Sequence, residues 1–297
     1  MIRLAAFQPV DFSETVDADW SAFKRWRRRA LSAVYCLPDR GWFGLQPLRD
    51  HVLICGFPRS GTSLLQIMLE NALPTARRFG REISGWRAAT YTWRNHATVI
   101  SKNPYDIFKL HRVQNLYRNR AARLHPIVTY RDPRDVLCSR HPHLGVGSYF
   151  MEVRELREFM KLLRIYRRHE EVLMLNYESL VADPHGVESR IAAFTGMAFD
   201  RPLAEYIQEA RPDFDTRTLN GLRPIDRASI GQWKQDVHRA RVAEVLNDAD
   251  EVADWLIELG YETSTDWIGA WRASSGPRER LTFSKPSISR LPSSRVA

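Results

Sequence analysis

Cysteine is scarce. Three residues, Cys36, Cys55 and Cys138, are scattered through 297 with no C-x-x-C pair, which excludes a disulfide framework or a Cys-rich zinc site. No apolar run approaches the ~20 residues that a membrane-spanning helix needs. The opening stretch MIRLAAFQPVDFSETVDADW has neither the long apolar core nor the small-residue cleavage site of a secretory signal, so a reducing, cytoplasmic location is expected. No repeat recurs at a solenoid period. What is present is globular in kind. Hydrophobic residues make up 44%, charged residues 27% and aromatics 11%, a balance that fits neither a disordered nor a fibrous chain.

The formal net charge of +9 is concentrated in two segments: KRWRRR at 24–29 supplies five of these charges and residues 273–297 four, leaving the rest neutral. The basic balance therefore does not point to a nucleic-acid-binding core, and no specific nucleic acid is expected as a partner. Around the first run, Trp20, Phe23, Ala30, Leu31 and Val34 recur near helical spacing. This predicts a basic amphipathic helix within an N-terminal extension, residues 1–47. Either it packs on the body with its basic face solvated, or residues 20–35 lie on an anionic membrane surface or dock an acidic partner. From 273 onward the chain is Ser-, Pro- and Arg-rich and reads as a disordered basic tail.

Between them, residues 48–272 alternate strand and helix signals. His51–Phe57 is a short apolar run ending in glycine and proline, followed by PRSGTS and the helical LLQIMLENAL. Pro126–Tyr130 leads through RDPRD into VLCSR, and Val172–Tyr177 precedes the helix GVESRIAAFTG. The alternation predicts an α/β fold, a P-loop-like parallel sheet with helices on both faces. Residues 236–260 read as a helical finish with Trp255 and Leu256 facing inward.

Two loops carry the chemistry. Gly56-Phe-Pro-Arg-Ser-Gly-Thr-Ser63 has the frame of a phosphate-binding loop, in which small residues let successive N–H groups converge on an anion at a helix N-terminus. Thr62 stands where a nucleotide triphosphatase needs lysine. The loop's cation is instead Arg59, and Ser60, Thr62 and Ser63 add hydroxyls around Gly61. Such a loop suits a terminal phosphate carrying a transferable anionic group. In the second loop Arg131 stands at a strand end and Ser139 follows eight residues later, placed about two turns into a helix. The two form a site for a second phosphate, or else Arg131 and Asp135 are a pair at a helix start.

In these segments the sequence resembles the sulfotransferases that use 3′-phosphoadenosine 5′-phosphosulfate (PAPS). GFPRSGTS resembles that family's 5′-phosphosulfate loop, and TYRDPRDVLCS its 3′-phosphate segment, with Arg131 and Ser139 at the contacting positions. LNYESLVADPHGVESRIAAFTG is similar to the Y-E-x-L segment, which implies that Tyr177 lies near the adenine. IDRASIGQWK resembles the late R-x-x-x-G-x-W-K stretch that closes over the cofactor, implying Arg227 and Ser229. The likeness runs from about residue 50 to 262. It departs from the cytosolic small-molecule branch, which has lysine in place of Arg59 and a histidine base in a K-x-H segment; here that segment reads Ser101-Lys102-Asn103-Pro104. Lys-x-Pro is similar to the tyrosylprotein and many bacterial sulfotransferases. In the tyrosylprotein pattern a glutamate after the first helix is the base, which implies Glu82 in FGRE.

The resemblance implies PAPS as donor, no metal, and a hydroxyl-bearing acceptor: a glycan, lipid, metabolite or tyrosine. Glu82 would take the acceptor's proton, and Lys102 or Arg59 would stabilise the departing oxygen. The bland alternatives are a surface glutamate and an ordinary strand-end lysine. His141 and His143 are placed to line the acceptor cleft, whereas His96, His111 and His125 read as solvent-facing. Trp86, Tyr91, Trp93 and Tyr105 read equally as core or as an acceptor platform. A P-loop kinase and a basic membrane- or nucleic-acid-binding module are the competing classes.

Overall fold

The computed structural model describes residues 37–79, 82–90, 95–118, 120–140, 149–207, 224–248 and 250–273, together with Ala30 and Val34. The basic helix expected at 20–35 (apart from Ala30 and Val34), the tail after 273, Tyr91, Trp93, His141 and His143 lie outside the described residues.

Four parallel strands form one sheet in the order β2–β1–β3–β4: β1 Asp50–Gly56, β2 Thr98–Lys102, β3 Arg123–Tyr130 and β4 Leu173–Asn176. The central strand β1 is buried along its whole length, as its unbroken apolar run requires. Alternation along the strands separates two cores. Val52, Ile54, Ile100, Ile127 and Leu175 face α1 (Thr62–Ala72), α6 (Tyr177–Ala182) and α7 (Pro184–Thr195). Leu53, Cys55, Val99 and Val128 face the other side. There they meet α2 (Gly85–Thr90), α3 (Leu110–Tyr117), α4 (Pro133–Cys138), α5 (Val153–Tyr166) and α9 (Glu251–Glu258). Helices therefore cover both faces, and Trp255 and Leu256 point inward as the sequence predicts. The helices α8 (Arg239–Asp248) and α10 (Asp266–Ala273) add a smaller cluster around Cys138 and Trp233. Among the described residues, no helix is long and apolar enough to cross a membrane.

Three sequence expectations shift. The fourth strand stops at Asn176, whose side chain accepts the Ser179 N–H at 3.3 Å, so Tyr177 opens a helix instead of closing a strand. The helix after the second loop is six residues long and ends at Cys138, which puts Ser139 just past its C-terminus in extended backbone. The chain turns there because Ser139 O accepts the Phe150 N–H at 2.8 Å. His125, expected at the surface, is buried in β3, with Nε2 2.8 Å from Asp50 Oδ1.

Candidate functional site

The site is built where the parallel strands end, the side of an open α/β sheet at which ligands gather. At the end of β1, Gly56 has φ 128°, and a Cβ there would lie 2.0 Å from the Thr129 carbonyl oxygen. Only glycine lets β1 turn off this close to β3. Arg59 sits in the left-handed region at φ 65°, a conformation that costs a non-glycine residue about 1–3 kcal/mol. Gly61 follows at φ 81°, with its missing Cβ 2.6 Å from Tyr177 Cδ2, so the loop rests on the tyrosine ring. Thr62 and Ser63 then open α1, whose first N–H groups have no intrahelical acceptor.

Ser60 plays a different part from the one its position in the loop suggests. Fully buried, it donates its hydroxyl to Phe57 O at 2.5 Å and meets Thr129 Oγ1 at 2.6 Å. Its hydroxyl is committed to holding the loop against β3.

Several of the predicted anion-binding residues converge across 170 positions of sequence. Arg59 Nε donates to Ser139 Oγ at 2.9 Å, joining the first loop to the end of α4. Arg131 Nη1 donates to Arg59 O at 3.2 Å, and Nη2 to Asp135 Oδ2 at 3.0 Å and to the Ser229 carbonyl. The Arg131 guanidinium lies 4.4 Å from the centre of the Tyr177 ring, and the Tyr177 hydroxyl donates to Ser229 Oγ at 2.8 Å. Arg131 Nε is buried without a hydrogen-bond partner, an unsatisfied donor within the site. Arg227 is not brought into this cluster: it is exposed and donates to Ala182 O at 2.8 Å.

The strap that carries Ser229 consists of three short 3-10 turns, Arg227–Ser229, Gln232–Lys234 and Asp236–His238. Asp135 docks it. Its fully buried carboxylate accepts the Gly231 N–H at Oδ2 and the Trp233 N–H at Oδ1, both at 2.9 Å. The Arg131–Asp135 pair thus exists, and it does more than start a helix. Arg134 reinforces the dock, held by Asp132 and Glu262 with its guanidinium 3.8 Å from the Trp233 ring and 4.6 Å from that of Trp267. Glu178, beside Tyr177, accepts from the Asp132 N–H at 3.1 Å and the Tyr261 hydroxyl at 2.7 Å. Sequence reading passed over Glu178, although its place next to the singled-out tyrosine was a usable signal.

On the other side of β1, Lys102 ends β2 and is 3% exposed. Its ammonium is paired with the Glu82 carboxylate, whose side chain is 48% exposed. Burial pulls the Lys102 ammonium below the usual lysine value, and Glu82 offsets only part of that. The segment bearing Glu82 is fixed from beneath: Ile83 N–H donates to Lys102 O at 3.1 Å, and Gly85 N–H to Asp106 Oδ2 at 2.5 Å. Of the aromatic residues, Trp86 packs against the core. Tyr105 is 52% exposed, with its ring 5.7 Å from that of Phe159.

Burial raises the Asp106 carboxyl from 3.8 to about 7; the Gly85 N–H and Lys109 oppose the rise and Glu82 adds to it. The folded state holds this proton more tightly than the unfolded chain. Its stabilising contribution is therefore complete below about pH 3.8 and is lost as pH rises through about 7. That gap corresponds to about 4 kcal/mol. Asp106→Asn keeps an acceptor for Gly85 without the titration. Thermal unfolding should then decline less with pH, with a melting temperature several degrees above the parent at about pH 8. Identical pH profiles would show that Asp106 does not titrate as the buried geometry requires.

Fold and site together define an α/β protein with two arginine-bearing loops at adjacent strand ends, joined to a strap by Arg131 and Asp135. Human Sulfotransferase 4A1 is 24% identical to the chain over 201 residues, 66% of this chain and 64% of its own, so the chain spans less than two thirds of that relative's length. The sulfotransferase domain of the Synechococcus PCC 7002 olefin synthase is 19% identical, with a TM-score of 0.42 over 68% of this chain and 96% of that one. Retinol dehydratase, solved with androsterone and the inactive cofactor PAP, is 17% identical, with a TM-score of 0.35 over 83% of this chain and 87% of that one. No protein-family model matches the chain.

Proposed function

We propose that the protein is a sulfotransferase that moves a sulfuryl group from PAPS to a hydroxyl acceptor. The observation that carries this reading is the convergence of Arg59, Ser139, Arg131, Tyr177 and Ser229 on one point between two strand ends. A nucleotide with phosphates at both 3′ and 5′ positions needs two anion sites, and Arg59 and Arg131 bring a cation to each of the two loops. The likeness to Sulfotransferase 4A1 supports the same reading.

The residues present fit the donor. Arg131 has a buried donor atom to spare at Nε, and Thr62 and Ser63 open α1 directly after Gly61 in the left-handed region. In this reading Arg59, Gly61, Thr62 and Ser63 hold the 5′ side, with Ser60 shaping the loop. Arg131 and Ser139 hold the 3′-phosphate. Tyr177 and Ser229 bound the nucleoside side, and Arg227 joins them only by turning away from Ala182. PAPS supplies, when bound, a sulfur open to in-line attack. Glu82 receives the acceptor's proton, a role worth roughly 10²–10⁴-fold. Lys102, buried at the end of β2 and paired with Glu82, stabilises charge on the oxygen that departs. The chemistry needs positioning and charge more than covalent help.

Calorimetric titration with adenosine 3′,5′-bisphosphate, with ATP as the comparison, tests this. Micromolar or tighter binding that needs the 3′-phosphate and no Mg²⁺ is expected. A preference for ATP with Mg²⁺ would replace the proposal with a kinase or nucleotide hydrolase.

A further inference from the structure

A hollow of about 270 Å³ lies against the second half of the strap. It is lined by Trp233, Lys234 and Gln235, by Arg239 at the start of α8 and by Trp271 in α10. The hydrogen bonds that join Arg59, Ser139, Arg131, Tyr177 and Ser229 use none of these five side chains. Its aromatic walls are held in place. Trp233 is buried, its N–H is fixed by Asp135 at 2.9 Å, and its ring is backed by the Arg134 guanidinium at 3.8 Å and the Trp267 ring at 5.8 Å. Trp271 packs on the small cluster formed by Cys138, Trp233, Val242 and Leu246.

The lining side chains share one chemical character. Lysine, arginine and the indole N–H donate hydrogen bonds and accept none, so among them only Gln235 can accept. No carboxylate is among the lining residues. Arg239 meets Asp236 at 3.5 Å, but that carboxylate is 95% exposed, and so solvated a pair neutralises little of the arginine's charge. The Lys234 ammonium lies 5.6 Å from the centre of the Trp233 ring. Such a lining repels a cation and leaves the hydroxyls of a sugar short of acceptors. It suits a group that only accepts, carried on a flat apolar body that lies against indoles. The volume falls just below the roughly 300–1,000 Å³ of common ligand pockets, which limits that body to one or two fused rings.

We infer that the hollow beside the strap binds a small aromatic carboxylate, its ring against Trp233 and Trp271 and its carboxylate between Lys234 and Arg239. Trp233 is also a residue by which Asp135 holds the strap, so an occupant steadies that end of it. The Trp233, Lys234 and Gln235 amides, bonded to Asp135, Gly231 O and Gln232 O, report this directly. The inference stands independently of the sulfotransferase reading.

The test is calorimetric titration of the full chain with 2-naphthoate, with 2-naphthamide as its uncharged match. Expected is binding of the carboxylate at least about tenfold tighter than the amide, and weaker at high salt. Arg239→Gln and Trp271→Ala should each reduce the affinity at least about fivefold. Trp271 is partly buried and its loss costs packing, so Arg239→Gln, at a partly exposed helix start, is the variant expected to keep the parent melting temperature and to decide. Bound 2-naphthoate should slow exchange at the Trp233, Lys234 and Gln235 amides and leave β1 unchanged. Binding should survive saturating adenosine 3′,5′-bisphosphate, and a chain that takes 2-naphthoate but ignores that nucleotide supports this inference while ending the sulfotransferase reading. Four results overturn the inference: no binding of 2-naphthoate, equal affinity for the amide, parent affinity in Arg239→Gln, or displacement by the nucleotide, which moves the anion to the phosphate loops.

Discussion

Arg131→Ala is expected to weaken binding of adenosine 3′,5′-bisphosphate at least about 100-fold, the scale on which a buried charge-assisted contact is lost. The loss exceeds one ionic contact because Arg131 spans three parts of the site. Its fork reaches the Arg59 carbonyl in the first loop, the Asp135 carboxylate in α4 and the Ser229 carbonyl in the strap. Without it, Asp135 is a buried carboxylate facing only the Gly231 and Trp233 N–H groups. Lysine at 131 keeps the charge but cannot bridge the same three acceptors, so Arg131→Lys should recover little. Asp135→Asn makes the complementary cut: every partner of that carboxylate is a donor, and an amide NH₂ turned toward one of them loses a bond. Hydrogen exchange at the Gly231 and Trp233 amides should then accelerate while β1 amides stay protected. Affinity within about threefold of the parent in Arg131→Ala would remove Arg131 from the 3′-phosphate site.

The sequence carried the local parts of this arrangement and missed the distant ones, for a physical reason. The first loop is legible because its constraints are local: an apolar run buried on both faces must be a central strand, and a glycine must follow where β1 leaves β3. The two-faced core follows from the same alternation. Ser139 was misplaced because nothing local shows that α4 lasts only six residues; what ends it is a pairing with Phe150. The docking role of Asp135 depends on N–H groups 96 and 98 residues later, a coincidence that only the fold creates. Arg227 shows the converse. The resemblance implies that it helps close over the cofactor, but its side chain donates to Ala182 O at the end of α6. The buried carboxyl of Asp106 left no trace in sequence, since a single acidic residue two positions after a proline looks like an ordinary surface turn.

Lys102→Met and Glu82→Gln should each reduce sulfuryl transfer by roughly 10²–10⁴-fold, and they should differ in every other respect. Methionine fits the stem of Lys102 and removes an ammonium that burial already disfavours, while Glu82, half in water, tolerates the loss of its partner. Lys102→Met should therefore melt at or above the parent temperature while losing turnover, the pattern of a charge kept for chemistry at a cost in stability. Its parent's rate should also fall on the alkaline side before an ordinary lysine would titrate, because the protonated form is the one that acts on the departing oxygen and burial lowers its pKa. Glu82→Gln should leave melting nearly unchanged while kcat falls, since the group that takes the acceptor's proton is gone. The same variant should retain parent affinity for adenosine 3′,5′-bisphosphate, because its side chain does not touch the Arg131 cluster, whereas Lys102→Met should weaken it, because the oxygen that departs belongs to that product's 5′-phosphate. A Glu82→Gln protein with parent kcat would move the base elsewhere. A Lys102→Met protein that is both active and more stable would reduce the buried ion pair to a structural relic at the end of β2.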